Sequence, residues 1–221
     1  MAKKVGVLLA GCGYLDGAEI QEAVITLLVL DRADVEIVAM APDKPQVHVV
    51  NHLTGNEVIG ETRNVMLEAA RIVRGKIIDV DPALADKLDA LIIPGGYGVA
   101  KNICNYAFEG VNCTVEPKVE ALIQRMHSQK KPIGAICIAP VVLAKALEKT
   151  GAHITLTVGT DAGAAQDIEK MQARHLNCAV SDYVVDRVHK IVSTPAWMLG
   201  PRISDIEKGI EKTVGEVLAM I

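Results

Sequence analysis

Cys137 closes an apolar run, Ile133 to Ile136, and stands just before a helical pattern from Val141 to Lys149. Ala135 and Ala139 lie two residues either side of it. A strand, a tight turn and a helix, with small residues where the turn is sharpest, make the layout of a nucleophile elbow. A bulky neighbour at either place would block the turn. The helix N-terminus would bring free N–H groups and a partial positive charge to the sulfur, favouring thiolate over thiol. The same N–H groups can hold an oxyanion. A buried structural cysteine is the other reading of these residues.

A nucleophilic thiol needs a proton partner and an oxyanion site. Glu19 and Glu22 open the first helical pattern, on the sheet edge where Cys137 emerges, with Asp16 as a candidate N-cap before them. A carboxyl group held near a thiol can stay protonated, bond to the thiolate or shuttle a proton. The plainer reading is that acids suit the first turn of any helix. Gly95 and Gly96 end an apolar strand beside the elbow strand, where a backbone without side chains lets a ligand approach. The N–H groups of Gly96 and Ile138 are the candidate oxyanion donors, and a plain tight turn is the alternative. Cys12, in the loop Gly11–Gly17, is a candidate second thiol at the mouth of the site. That loop begins like a dinucleotide fingerprint, but Asp16 takes the sixth position, where a carboxylate repels pyrophosphate. Ser193–Trp197, with Thr194, ends another strand and is a candidate pocket wall, with core filling as the other role for Trp197. The histidines read as exposed or structural: His127 near a helix end, His153 on the far edge, His175 and His189 in later segments.

The chain has 221 residues, half of them hydrophobic, and a net charge of −4. This suits one domain spanning 1–221 with a sizeable core, and the absence of a basic block argues against nucleic acid. Apolar runs such as Ala23 to Leu30 are too short for a bilayer, so no membrane partner is expected. The start, Met-Ala-Lys-Lys, runs straight into a strand without a signal-peptide pattern, which points to the cytoplasm. Five widely spaced cysteines, without a C-x-x-C pair, predict free thiols and neither a disulfide framework nor a zinc site. No cofactor or metal is expected.

The elements that must position these residues alternate. Strands are predicted at Lys4–Ala10, Val35–Ala41, Lys76–Val80, Ala90–Ile93, Pro132–Ile136 and His153–Val158. Helices are predicted at Ala18–Asp31, Pro82–Lys87, Val115–Gln129 and Ala164–Ala173, and Glu61–Arg74 reads as a helix or a long polar excursion with helical spacing. Val47–Leu53 is extended or irregular, and Asn102–Cys113 a long loop. Val180–Val185 and Lys190–Ser193 form a hairpin, and Ile203–Met220 closes the chain. Such alternation gives an α/β fold, a flavodoxin-like three-layer sandwich with a mostly parallel sheet. Its chemistry belongs at the carboxyl ends of the strands. The stretch 42–80 is the candidate insertion covering the site.

Gly17-Ala-Glu-Ile-Gln-Glu22, Ile93-Pro-Gly-Gly-Tyr-Gly98 and Ala135-Ile-Cys-Ile-Ala-Pro140 together resemble the acidic motif, glycine turn and elbow of the ThiJ/PfpI superfamily, the class I glutamine amidotransferase-like fold. Within it the chain is similar to the ElbB group, the enhancing lycopene biosynthesis proteins. The supporting stretches include Asn51-His-Leu-Thr-Gly55, Glu61-Thr-Arg-Asn-Val65, Gly98-Val-Ala-Lys-Asn102 and Gly159-Thr-Asp161. The resemblance implies Glu22 as the catalytic glutamate, a homodimer, and a glyoxalase acting on a small aldehyde. Ile138 stands where many PfpI-type members have histidine, and no histidine follows the 154–158 strand. That departs from the glutaminase triad and leaves a cysteine–glutamate pair. The leading expectation is a cofactor-independent conversion of glyoxal, or methylglyoxal, to the 2-hydroxy acid. A redox or stress sensor using Cys137, and a protein deglycase or amidase, are the alternatives; a subunit donating ammonia ranks last.

Overall fold

The structure is a computed structural model and describes residues 3–200 and 202–221. The first two residues of the N-terminal lead, Met1 and Ala2, lie outside the described residues. The chain runs β1 (Lys4–Leu8), α1 (Ile20–Arg32), β2 (Glu36–Ala41), β3 (Val50–Asn51), β4 (Asn56–Glu57), α2 (Val65–Ala69), β5 (Ile78–Asp79) and β6 (Ala90–Ile93). It continues through α3 (Tyr106–Glu109), α4 (Pro117–Ser128), β7 (Ile133–Ile136), α5 (Ala139–Leu147), β8 (Thr155–Leu156), α6 (Ala162–Lys170) and β9 (Arg174–His175). It ends with β10 (Val184–Asp186), β11 (Ile191–Thr194) and α7 (Ile203–Ala219).

A seven-stranded sheet in the order β10-β11-β7-β6-β1-β2-β5 forms the middle layer. Every pairing in it is parallel except that of β10 with β11. The hairpin turns because Asp186 Oδ1 accepts from the N–H groups of Val188 (3.1 Å) and His189 (3.0 Å), an Asx turn. Strand periodicity divides the core in two. Val5, Val7, Ala90, Ile92 and Val192 pack under α1 and α7. Leu8, Leu91, Ile93, Ile133 and Ile191 pack under α4 and α5. Each fully buried Leu or Ile contributes roughly 1.5–3 kcal/mol, so both faces are held firmly. This is the expected α/β three-layer sandwich.

Some elements differ from the sequence reading. The 102–113 stretch is a run of short helices instead of a loop: a π-helical turn at Val99–Ile103, then α3, then a 3₁₀ turn at Gly110–Asn112. Elements of five, four and three residues are too short to show a helical period in the sequence. The helix expected over 61–74 shortens to α2, because Asn64 caps it by accepting from Leu67 N–H at 3.0 Å. The 153–158 strand leaves the main sheet and pairs β8 with β9.

No helix among the described residues is long and apolar enough to cross a membrane.

Candidate active site

Four neighbouring strand ends meet around Cys137: those of β11, β7, β6 and β1, where the direction of winding reverses. Cys137 has φ 63°, the left-handed region that a non-glycine residue enters only when its surroundings impose it. The imposition is visible. Cys137 N–H donates to Thr194 O at 2.9 Å, and α5 begins two residues later at Ala139. The side chain is 8% exposed and faces a cavity of about 730 Å³.

Glu22 is fully buried, one turn into α1. Its Oε2 accepts from Gly95 N–H at 2.8 Å and its Oε1 from Trp197 N–H at 3.2 Å. The carboxyl therefore bridges the ends of β6 and β11 and lies beside the Cys137 sulfur. This is no helix-end acid facing water. Burial, with Glu19 nearby, pushes its pKa from 4.5 up to about 8, against the pull of the two backbone N–H groups and the sulfur. Near neutral pH Glu22 carries a proton.

Burial also pushes the Cys137 thiol well above its ordinary value, and a charged Glu22 would push it further. The N–H groups of Gly96 and Ile138 act in the opposite direction, on the sulfur itself. A protonated Glu22 removes the second obstacle. The helix N-terminus alone does not make this cysteine a free thiolate: burial is the larger obstacle and the charge on Glu22 the second.

The sign of the linkage follows. A carboxyl whose folded pKa is raised contributes stability that is complete below its unfolded pKa and lost as pH climbs through the folded value. The Tm of the wild type is expected to decline as pH rises from about 5 to about 9, with Glu22→Gln flattening that decline. Thermal melts of both proteins across this range check it; parallel declines would contradict a buried, protonated Glu22.

Gly95 is obligatory here. A Cβ on it would stand 2.5 Å from Cys137 Cβ and 2.7 Å from Glu22 Oε2. Its N–H is engaged by Glu22, so of the expected oxyanion donors only Gly96 and Ile138 face the sulfur. Gly96, at φ 100°, turns that N–H inward.

Glu19, Gly96 and Ile138 line the cavity with Cys137. Glu19 is also the N-cap of α1, accepting from Glu22 N–H at 2.7 Å. Asp16 is not that cap: its Oδ2 accepts from Val50 N–H at 2.7 Å, which ties β3 to the Gly11–Gly17 loop. Cys12 does not line the cavity. Its thiol is pushed up by burial and then by Glu68, with Arg71 and Arg63 acting in the opposite direction. Thr194 is fully buried behind the site, its Oγ1 donating to Asp182 O at 2.7 Å while its carbonyl holds Cys137. The 42–80 stretch contributes no cavity-lining residue. It packs against the loop through Val50, whose N–H donates to the Asp16 carboxylate, and His52, whose Nε2 accepts from Leu15 N–H at 3.3 Å.

No histidine lines the cavity. His127 pairs with His189 at 3.0 Å, His175 accepts from Val158 N–H at 3.2 Å, and His153 Nδ1 lies 3.1 Å from Gln172 O. Sequence reasoning missed Asn102, which is buried and donates to Ala10 O and Asp16 O, each at 2.9 Å. It fixes the loop ahead of α1; in the sequence it stood only within the stretch Gly98-Val-Ala-Lys-Asn102, with no role given to it. The backbone N–H of Trp197 was missed as well; Ala196, at φ 40°, turns it toward Glu22. No group of three or more His, Cys, Asp or Glu side chains among the described residues is placed to hold a metal.

Comparison with known proteins agrees with this geometry. The human mitochondrial glutamine amidotransferase-like class 1 domain-containing protein 3 is 41% identical over 99% of this chain and 84% of its own length. The mitochondrial ES1 protein homolog of Rattus norvegicus is 39% identical over 98% of this chain and 84% of its own length. The crystal structure of an isoprenoid biosynthesis protein with an amidotransferase-like domain from Ehrlichia chaffeensis superposes with a TM-score of 0.92 at 37% identity, covering 99% of both chains. Drosophila melanogaster DJ-1beta shares the fold at a TM-score of 0.56 and 20% identity, over 100% of this chain and 96% of its own. The DJ-1/PfpI family model matches residues 3–187. With its elbow cysteine, buried glutamate and glycine turn, the chain belongs to the DJ-1/PfpI family.

Proposed function

We propose that this protein is a glutathione-independent glyoxalase that converts glyoxal, and by the same steps methylglyoxal, to the 2-hydroxy acid. One observation carries the reading: a sulfur facing two backbone N–H groups lies beside a carboxyl whose proton is held until about pH 8. Sulfur and carboxyl can share a single proton, and that is what an internal redox reaction on an α-oxoaldehyde needs.

The reactive form is the Cys137 thiolate with Glu22 protonated. The sulfur adds to one aldehyde carbon, and Glu22 gives its proton to the oxygen, forming a hemithioacetal. As a carboxylate, Glu22 then removes the hydrogen on that carbon as a proton. The electron pair moves to the second carbonyl and leaves an enediolate. Glu22 returns the proton to the second carbon, and the hydroxyl proton passes to the neighbouring oxygen. The first carbon is now a thioester and the second a hydroxymethyl group, so one is oxidised by as much as the other is reduced. Water adds to the thioester with Glu22 as base, and the thiolate leaves. Glyoxal plus water has become glycolic acid. The N–H groups of Gly96 and Ile138 stabilise the oxyanions that arise at the sulfur-bearing carbon; removing one such donor typically costs 10²–10³ in rate.

The test is glyoxal consumption with glycolate detection on purified protein without glutathione or added metal. Glycolate release well above the rate of an equal concentration of free thiol is expected; its absence overturns the reading.

A further inference from the structure

The chain is poor in aromatic residues, with one Trp, four Tyr and one Phe. Yet Trp197 and three of the tyrosines, Tyr14, Tyr97 and Tyr106, line the cavity that Cys137 faces. Tyr14 is 49% and Tyr97 56% exposed, a costly placement for large rings unless something covers them. The cavity, at about 730 Å³, is of the size that holds drug-sized ligands, whereas glyoxal has only four non-hydrogen atoms. Its charged lining residues are Glu19 and Asp161; no Lys, Arg or His is among them. Lys101 stands outside, its Nζ donating to Leu15 O at 3.0 Å and lying 5.6 Å from the centre of the Tyr97 ring. The face of Tyr97 therefore already attracts one cation. Aromatic faces with carboxylates among them recognise flat apolar groups and cations, and repel anions.

We infer that the site is built for an α-oxoaldehyde whose second carbon carries an aromatic-sized, uncharged or cationic group, and that it turns away carboxylate- and phosphate-bearing aldehydes. The chemistry rests on the glyoxalase reading; the substituent preference rests on the cavity wall alone. The steps balance as before: the sulfur adds to the aldehyde carbon, the hydrogen of that carbon moves as a proton to the ketone carbon, and hydrolysis gives the 2-hydroxy acid. Phenylglyoxal plus water becomes mandelic acid.

Trp197 is the only tryptophan, so its emission reports on the cavity without any turnover. Titration with phenyltrimethylammonium is expected to change that emission saturably, with binding at least about tenfold tighter than that of benzoate. Asp161→Asn keeps a residue able to cap α6, where Asp161 now accepts from Ala164 N–H, and is expected to narrow the preference. In turnover, phenylglyoxal should show the higher kcat/KM against glyoxal. Benzoate binding as tightly as the cation, or no saturable change with either probe, overturns the inference. Saturable, cation-selective binding without glycolate from glyoxal would instead leave the cavity assignment standing and remove the glyoxalase reading.

Discussion

Glu22→Gln is expected to lower kcat for glyoxal by about 10²–10⁴-fold, the usual range for losing a positioned acid–base group. The amide is nearly isosteric. Its oxygen can still accept from one of the two backbone N–H groups, Gly95 or Trp197, and its NH₂ can donate to the sulfur, so a single backbone hydrogen bond is lost. What it cannot do is carry a proton from one carbon to the next. The substitution therefore separates holding the site together from moving the proton. Alkylation of Cys137 by iodoacetamide should persist in Glu22→Gln while turnover collapses. The pH profile gives a second signature. With Glu22 titrating near 8 and the Cys137 thiol held above its ordinary value, the pair carries two protons near neutrality and one above about pH 8, so wild-type kcat should rise through that pH, and the residual activity of Glu22→Gln should lack this limb. A variant with kcat within about threefold of wild type would mean that Glu22 positions the loop but does not take part in the chemistry.

Cys137→Ala should reduce glycolate formation to the background of the other cysteines, a loss of at least about 10³-fold. That background is low for structural reasons. Cys104 and Cys113 are buried in the core under α4 and α5. Burial and then Glu68 push the Cys12 thiol up, and burial pushes Cys178 up to about 11. Cys137→Ser is the sharper variant. It keeps a polar atom near the Gly96 and Ile138 N–H groups, but a hydroxyl far less acidic than a thiol cannot share its proton with Glu22. Both variants should fold, since Cys137 makes its structural hydrogen bond through the backbone, to Thr194 O at 2.9 Å. Circular dichroism matching wild type, together with lost turnover, separates lost chemistry from lost structure.

The elbow was legible because its requirements are local. An apolar strand, small residues at 135 and 139 and a following helix lie within about a dozen positions, and the same local logic placed β6 and its glycine turn. The approach of Glu22 to Cys137 was legible only as two strand ends on one edge. What makes it more than a helix-end acid is full burial between Gly95 N–H and Trp197 N–H, and those donors come from 73 and 175 residues away. No local pattern encodes such a distance. Cys12 shows the converse error. Being in the loop after β1 put it near the site in sequence terms, but the loop turns back through Gly13 N–H to Ala18 O at 2.9 Å and Cys12 is not among the residues lining the cavity. The 42–80 stretch differs for a related reason: it meets the Gly11–Gly17 loop through Val50 N–H on the Asp16 carboxylate and His52 on Leu15 N–H, and none of its residues lines the cavity. Raised acidity of Cys137 was expected from the helix terminus alone. Burial of the sulfur, which only the packed sheet ends create, works against it, and a charged Glu22 adds to that opposition.

Covalent attachment of substrate to Cys137 is the centre of the mechanism, and rapid acid quench during glyoxal turnover followed by peptide mapping tests it most directly. The expected result is a hydroxyacetyl thioester on the Cys137 peptide of the wild type, formed and lost at rates that match glycolate release. Glycolate release with an unmodified Cys137 peptide, or with the acyl group on another cysteine, would contradict it.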